Sequence, residues 1–159
     1  MSRREEITVA ARALLEEEGE EALTMRSLAE RLGIKAPSLY KHVSGRQEIE
    51  TLLAAEALTE MGETLANESG LEAMGRAYRT WALDNPALYR VATTRPLDRE
   101  NLTPGLEDAA AAPLLEALDG DRNRARAFWA LAHGLVLLEL DGRFPEDADL
   151  EAAWAAGLG

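Results

Sequence analysis

The chain has 159 residues, no cysteine and a formal net charge of −12 at pH 7. The lack of cysteine excludes disulfides, thiolate metal sites and cysteine nucleophiles, and the sequence has no run of about 18 apolar residues that could cross a membrane. Alanine, leucine, glutamate and arginine are abundant and β-branched residues are scarce, which favours helix. We therefore expect an all-α protein of about nine helices in the cytoplasm, without a signal peptide.

Apolar residues at helical spacing predict a first helix from about Arg3 to Glu18, with Gly19 at its C-terminal cap. Thr24 is placed to cap a second helix that ends near Leu32, because its hydroxyl can accept from the backbone N–H groups of the first turn. Gly33 then supplies a tight turn. The segment therefore predicts two short helices around a glycine turn.

The next predicted helix is short and has Pro37 in its first turn, where the missing N–H costs nothing. Leu39 and Val43 are four residues apart and should face inward, which leaves an outward face of Ser38, Lys41 and His42. Ser44 and Gln47 form a capping-box pattern that predicts a long helix from about Gly45 to Asn67.

The charge of this region differs from that of the whole chain. Between Thr24 and Arg46 there are five cations (Arg26, Arg31, Lys35, Lys41 and Arg46) and one anion, Glu30, so the local net charge is +4. Attraction to a polyanion depends on local potential rather than on the total charge. The segment is therefore a candidate for binding DNA, although a solvated basic patch without a partner has the same composition.

The second half of the chain is also predicted to be helical. One helix should run from Leu71 to Asp84, the next should begin at Pro86 and end near Thr93, and residues 95–103 have the composition of a loop. Pro104 should open a further helix that Pro113 kinks or splits. Residues 125–138 are apolar nearly all round, which predicts a helix with one side in its own core and the other against a partner subunit. A short helix over 149–156 should follow.

Residues 32–43 read Leu-Gly-Ile-Lys-Ala-Pro-Ser-Leu-Tyr-Lys-His-Val, residues 23–29 before them read Leu-Thr-Met-Arg-Ser-Leu-Ala, and Arg46 opens the next helix. Over about residues 5–55 this pattern resembles the DNA-binding head of the TetR family of transcriptional regulators. The resemblance implies a three-helix helix-turn-helix domain at residues 1–44 and a helical-bundle domain for ligand binding and dimerisation at residues 45–159.

The second resemblance lies in the C-terminal half. Residues 128–135 read Phe-Trp-Ala-Leu-Ala-His-Gly-Leu, followed by Leu-Glu-Leu-Asp-Gly at 138–142. This pattern is similar to the Trp-His-Gly type of ligand-binding and dimerisation domain in part of the TetR family. It implies a subunit contact through the helices near 122–141 and 149–158.

The resemblance also implies the roles of single residues. Lys41 is the candidate for a guanine contact, and Ala36 or Pro37 for a thymine methyl. Tyr40, His42 and Arg46 are the candidates for contacts to the DNA backbone, which would position the recognition helix. Tyr40 could instead pack its ring on the core, and His42 could be a surface residue with no role. The full set of predicted DNA-binding residues is Thr24, Arg26, Lys35, Ala36, Pro37, Ser38, Tyr40, Lys41, His42 and Arg46.

The resemblance implies that the C-terminal domain, residues 45–159, binds a small-molecule effector. We expect no resident cofactor or metal. The candidate ligand-binding residues are Met74, Tyr78, Trp81, Tyr89, Phe128, Trp129 and His133. Of the five aromatic residues, most are expected to belong to the core and about two to line a cavity, and His133 could be a hydrogen-bonded core histidine. The candidate dimer-interface residues are Leu131, Leu135, Leu138, Leu150 and Trp154.

Motifs of common enzymes are absent from the sequence: there is no Gly-x-Ser-x-Gly, no phosphate-binding glycine loop and no His-Glu-x-x-His. We therefore predict a non-enzymatic, dimeric regulator that binds a palindromic DNA operator, acts as a ligand-responsive repressor and does not associate with membranes. Two alternatives stay open, a transcriptional activator and a dimeric helical interaction module that does not bind DNA specifically.

Overall fold

The structure is a computed structural model that describes residues 1–158, without the side chain of Leu158. The all-α prediction is confirmed for this part of the chain, which has nine α-helices, a short 3-10 turn at Glu20–Ala22 and no strand. The helices are α1 (Arg3–Glu18), α2 (Met25–Arg31), α3 (Ala36–Leu39), α4 (Arg46–Ala66), α5 (Leu71–Asp84), α6 (Pro86–Thr93), α7 (Leu106–Ala117), α8 (Arg122–Leu140) and α9 (Leu150–Leu158).

Local capping interactions explain where the first helices begin and end. Ser2 and Glu5 form a reciprocal capping box at the start of α1, and Gly19 ends it with a φ of 85°. The Thr24 Oγ1 accepts a hydrogen bond from the Ser27 N–H at 3.1 Å, as predicted for a helix N-cap. Gly33 has a φ of 65°, a left-handed conformation that glycine adopts without steric cost.

The predicted cap of α4 is wrong by one residue. The Ser44 N–H donates to the Glu48 carboxylate at 2.7 Å, so Glu48 rather than Gln47 folds back onto the start of the helix. Because α4 begins at Arg46, Glu48 occupies its third helical position, which is the position that can reach the cap. The hydrogen bond from the Ser44 backbone is the main reason why the pKa of Glu48 lies below its usual value.

The prediction for α7 also needs correction. The helix begins at Leu106, two residues after Pro104, and Pro113 lies inside it without splitting it. A proline inside a helix costs one N–H donor and crowds the preceding turn. The helix nevertheless continues to Ala117, and Leu114, directly after the proline, is buried.

The described chain forms two compact units. Unit 1 comprises Met1–Leu58 and Ala87–Leu106, and thus contains α1, α2, α3, the first half of α4 and most of α6. Its core includes large side chains with at most 1% exposure, among them Ile7, Leu15, Leu23, Leu28, Leu39, Ile49, Leu53, Leu88 and Tyr89. The predicted boundary after residue 44 lies inside this unit.

Unit 2 comprises Thr59–Pro86 and the described residues from Glu107 onward. Within it α5 contacts both α8 and α9, and α8 contacts α9. Its buried side chains include Met74, Tyr78, Ala82, Leu114, Leu118, Val136 and Trp154. Across the described residues, no helix has the length and apolar character needed to span a bilayer.

Candidate nucleic-acid interface

The helix-turn-helix is held together by apolar packing and by backbone hydrogen bonds in its turn. Helices α2 and α3 contact each other, and Leu28, Ala29 and Leu39 are buried. The turn closes where the Ile34 N–H donates to the Ala29 carbonyl at 3.0 Å. The two short helices therefore depend on this packing for their stability, because helices of this length are marginal on their own.

The recognition segment extends beyond the four residues of α3. Backbone hydrogen bonds from His42 and Val43 to the Leu39 carbonyl, at 2.9 and 3.2 Å, continue it as a tight turn. Leu39 and Val43 face the core, as predicted, whereas Tyr40, Lys41 and His42 are exposed. The Tyr40 side chain is 53% exposed, so its ring is not packed in the core of unit 1.

The predicted DNA-binding residues share the exposed surface of α2, α3 and the start of α4. Thr24, Arg26, Lys35, Pro37, Tyr40, Lys41 and His42 are exposed, and Ala36, Ser38 and Arg46 are half-buried. The Thr24 hydroxyl is engaged in the cap of α2 and in a 2.8 Å hydrogen bond with the Ser27 hydroxyl. Thr24 therefore contributes by fixing the start of α2.

Two of the basic side chains are free to meet an anion. Lys35 and Lys41 are both exposed, and neither has an ion-pair partner within residues 1–158. An ammonium group without a carboxylate beside it offers its full charge to a phosphate or a base edge. Lys35 immediately precedes α3 and Lys41 follows it, so the two charges flank the recognition segment.

The arginines of the region are paired. Arg26 donates to Glu30 on the same helix at 2.9 Å, and Arg31 donates to both carboxylate oxygens of Glu17 at 2.8 and 2.6 Å. These hydrogen bonds raise the pKa of Arg26 and of Arg31, and the same bond to Arg31 lowers the pKa of Glu17.

Arg46 is the third paired arginine of this surface. Its Nε donates to Glu50 at 2.7 Å, and its Nη2 lies 3.3 Å from both the carbonyl and the carboxylate of Glu20. Arg95, in the loop after α6, contacts the same two carboxylates. The sequence count of +4 therefore overstates the free charge of the segment, since Glu17, Glu20 and Glu50 lie outside it.

Sequence reasoning missed Arg95 and the acidic partners. The bond from Arg95 to Glu20 joins residues 75 positions apart, and the bond from Arg31 to Glu17 spans 14 positions. No periodicity or spacing rule relates residues at those separations. Only the i, i+4 pairs, such as Arg26 with Glu30, have a signal in the sequence.

Part of the predicted ligand set forms an aromatic cluster in unit 2. The Trp129 Nε1 donates to the Tyr78 hydroxyl at 3.1 Å, and the Trp129 ring stacks on His133 with centroids 5.7 Å apart. Burial lowers the pKa of His133. Met74 and Tyr78 are each 4% exposed, Phe128 is half-buried and Trp129 is 48% exposed.

Two further predicted ligand residues, Tyr89 and Trp81, have different surroundings. Tyr89 belongs to unit 1, where its side chain has 0% exposure and is part of the core. Trp81 donates from Nε1 to Glu60 at 2.9 Å and lines an open groove of about 510 Å³ between the end of α4 and α5. The groove is lined by Thr64, Glu68, Ala73, Arg76, Ala77, Thr80, Trp81, Asp84 and Asn85.

The predicted dimer-interface residues differ in how exposed they are. Leu131 and Leu138 are 39% and 44% exposed, and Leu135 and Leu150 are half-buried. Leu131, Leu135 and Leu138 recur at helical spacing on a face of α8 separate from its buried residues. Trp154 is only 2% exposed and lies under the Arg79 guanidinium at 5.8 Å, so its surface is already covered within its own chain.

Two families match the chain. The family described as "Bacterial regulatory proteins, tetR family" matches residues 7–49, and the family described as "Tetracyclin repressor-like, C-terminal domain" matches residues 71–159. The HTH-type transcriptional regulator Rv0681 of Mycobacterium tuberculosis is 33% identical over 95% of this chain and 76% of its own length. The class D tetracycline repressor of Escherichia coli is 35% identical over 60% of this chain, and the match spans 41% of that repressor.

Solved structures agree with these matches. The regulatory protein SCO4313 superposes with a TM-score of 0.75 at 28% identity, covering 98% of this chain and 92% of that chain. A TetR variant from Acinetobacter baumannii AYE, solved in complex with minocycline, superposes with a TM-score of 0.71 at 26% identity, covering 99% of this chain and 93% of that one. The chain belongs to the TetR family of helix-turn-helix DNA-binding transcriptional regulators.

Proposed function

We propose that this regulator is a homodimeric, effector-responsive repressor that acts in the cytoplasm and binds a partly palindromic operator. The observation that carries the DNA-binding part is the exposed recognition face, where Tyr40, Lys41 and His42 project from a buried Leu39–Val43 anchor. A dimer seated on an operator blocks transcription without further contacts, which makes repression the simplest outcome.

We assign the exposed residues to two kinds of contact. Lys41 is suited to a guanine edge, and Ala36, Pro37 and Ser38 to close approach at neighbouring bases. Tyr40, His42 and Arg46 are suited to phosphates, which set the register of the helix without reading sequence. Lys35, which has no carboxylate partner in the described chain, adds charge to the same surface.

The α8 face formed by Leu131, Leu135 and Leu138 supports the proposed dimer. Exposed leucines at helical spacing indicate a surface that a second copy can cover, because single chains rarely leave such a stripe in water. Two-fold symmetry would place the two recognition segments in successive major grooves, about 34 Å apart or a multiple of that distance.

The aromatic cluster and the groove beside Trp81 support an effector site in unit 2. The cluster brings together the Tyr78, Trp129 and His133 rings. The groove places the Trp81 ring among mostly polar and charged side chains, so the two together offer apolar and polar contacts to an amphipathic molecule. The relative from Acinetobacter baumannii AYE was solved with minocycline, and we propose an effector of that general character here. Residues of α4 belong to both units, so a change in the tilt of α4 on effector binding would also move the start of α4 at Arg46. We expect a coupling free energy between effector binding and DNA binding of about 1–3 kcal/mol.

Binding to random-sequence duplex at two salt concentrations tests the DNA-binding proposal. If several cations contact phosphates, the association constant should fall by about 10-fold or more between roughly 50 and 200 mM salt, because counterions are released on binding. An affinity that does not change with salt would instead support the alternative of an interaction module without DNA binding.

A further inference from the structure

The cluster beside Arg46 is a four-membered ion network within unit 1. Arg46 and Glu50 lie on α4, Glu20 lies in the turn after α1, and Arg95 lies in the loop after α6. The Glu50 side chain is 16% exposed, whereas those of Arg46 and Arg95 are 38% and 43% exposed. The network therefore joins three segments that are distant in sequence.

Both arginines use the same two carboxylate oxygens. The Glu50 Oε1 accepts from the Arg46 Nε at 2.7 Å and from the Arg95 Nη1 at 2.5 Å, and the Glu20 Oε1 accepts from the Nη2 atoms of both arginines. Burial raises the pKa of Glu50, but the hydrogen bonds from Arg46 and Arg95 outweigh it and keep the pKa below its usual value. The two arginines therefore share both carboxylates.

This arrangement matters for phosphate binding by Arg46. A phosphate must draw the Arg46 guanidinium away from Glu50 and Glu20, which leaves two carboxylates near the DNA backbone. If Arg95 keeps both of them paired, the network of two cations and two anions is neutral. Without Arg95 it would carry a net charge of −1, and a negative charge within a Debye length of about 8 Å repels the phosphate.

We propose that Arg95 is a positioning residue for DNA binding. Arg95 holds the Glu20 and Glu50 carboxylates, so that the Arg46 guanidinium can leave them and bind a phosphate. Arg95 itself does not touch DNA in this account. The inference rests on the proposed phosphate contact of Arg46 and adds a residue that lies far outside the helix-turn-helix in sequence.

The first test is Arg95→Gln, measured by fluorescence anisotropy on random-sequence duplex. We expect the affinity of the dimer to fall about 5- to 10-fold near 0.1 M salt, since each half-site then has one carboxylate charge that no arginine compensates. Arg95→Lys keeps the charge and should bind like the wild type. The matched control is Arg122→Gln, which removes an equal charge from an exposed side chain in unit 2 and should change the affinity by less than about twofold.

A rescue variant separates this role from a merely structural one. The double variant Arg95→Gln/Glu50→Gln restores the neutral charge of the network and should recover most of the lost affinity. If Arg95 only anchors its loop, removal of Glu50 takes away a further anchor and no recovery follows. Glu50→Gln alone should bind DNA more tightly than the wild type, which keeps the inference testable even if Arg95→Gln does not fold.

Unchanged binding by Arg95→Gln, failure of the rescue, or weaker binding by Glu50→Gln would overturn the inference. These outcomes differ from failure of the proposed function. If the wild type does not bind duplex DNA, or if Arg46→Ala binds as well as the wild type, the phosphate contact itself is refuted. If Arg46→Ala weakens binding and the Arg95 variants behave like the wild type, only the role of Arg95 is refuted.

Discussion

Lys41 and Arg46 are both basic, but their surroundings in the protein differ. Lys41 is exposed at the end of the recognition segment and lacks a carboxylate partner in the described residues, whereas Arg46 is shared by Glu50 and Glu20. A free ammonium can enter a groove and select a base, and a guanidinium held at the start of α4 suits a fixed phosphate. The difference predicts different phenotypes for the two alanine variants.

Lys41→Ala should relax specificity at one base position, with a cost of about 1–3 kcal/mol on the preferred sequence. Arg46→Ala should instead weaken binding to all sequences alike and reduce the salt slope by about one. Affinities for a set of single-base operator variants at several salt concentrations measure both effects. Indistinguishable profiles for the two variants would refute the division into a base-reading and a positioning residue.

His133 predicts a pH dependence of stability. Burial lowers its pKa in the folded chain, so below the unfolded value of about 6.5 the unfolded chain binds a proton that the folded chain does not. The free energy of unfolding should therefore decrease as pH falls through about 6.5, and the decrease should end once the folded pKa is passed.

Thermal unfolding between pH 8 and 5 tests this prediction, and His133→Gln should remove the dependence in that window. The control is His42→Gln, which changes the other histidine of the chain, an exposed residue on the recognition face. A wild-type curve that is flat through pH 6.5, or one that His133→Gln leaves unaltered, would be inconsistent with a half-buried histidine whose pKa is lowered.

At the scale of helices, α4 and α7 approach closely within unit 2. A Cβ atom on Gly62 would lie 2.9 Å from the Ala110 Cα, and a backbone atom cannot rotate away. Gly62→Ala should therefore push the two helices apart, despite the higher helix propensity of alanine. The close approach places a constraint on α4, the helix that also carries Arg46.

We expect Gly62→Ala to lower the free energy of unfolding by about 1–3 kcal/mol in chemical denaturation. The neighbouring variant Glu63→Ala changes an exposed side chain of the same helix and should lie within about 0.5 kcal/mol of the wild type. A Gly62→Ala protein as stable as the wild type would show that α4 and α7 separate without cost.

The exposed face of α8 predicts a defined effect on assembly. In a symmetric dimer, Leu138→Glu places two carboxylates in an apolar contact, where charge is costly to bury. The variant should be monomeric at concentrations where sedimentation shows a wild-type dimer. Val9→Glu changes an exposed apolar residue on α1, 55% exposed, and should stay dimeric. A dimeric Leu138→Glu protein would place the interface elsewhere.

For the whole molecule, the features that sequence could predict are those set by neighbours along the chain. The Thr24 cap, the Gly33 turn and the start of α6 at Pro86 depend on residues within one helical turn, and each was predicted. The cap of α4 shows the limit of such reasoning, because the predicted pair Ser44 and Gln47 differs by one residue from the observed pair.

The remaining features depend on tertiary packing. The charge of the recognition surface changes when Glu17, Glu20 and Glu50 pair with its arginines. Pro113 stays inside a continuous helix. The predicted ligand set spans both units, with Tyr89 in the core of unit 1, because aromatic composition does not distinguish a core side chain from one that lines a cavity.

We propose that two copies of this chain read DNA through the α3 segment. The most direct test is selection of bound sequences from a pool of random duplexes by the full-length wild-type protein. We predict that the selected sequences form a partial palindrome whose half-sites are about 10 base pairs apart, or a multiple of that spacing, from centre to centre. Recovery of unenriched sequences, or of a single half-site without symmetry, would contradict it.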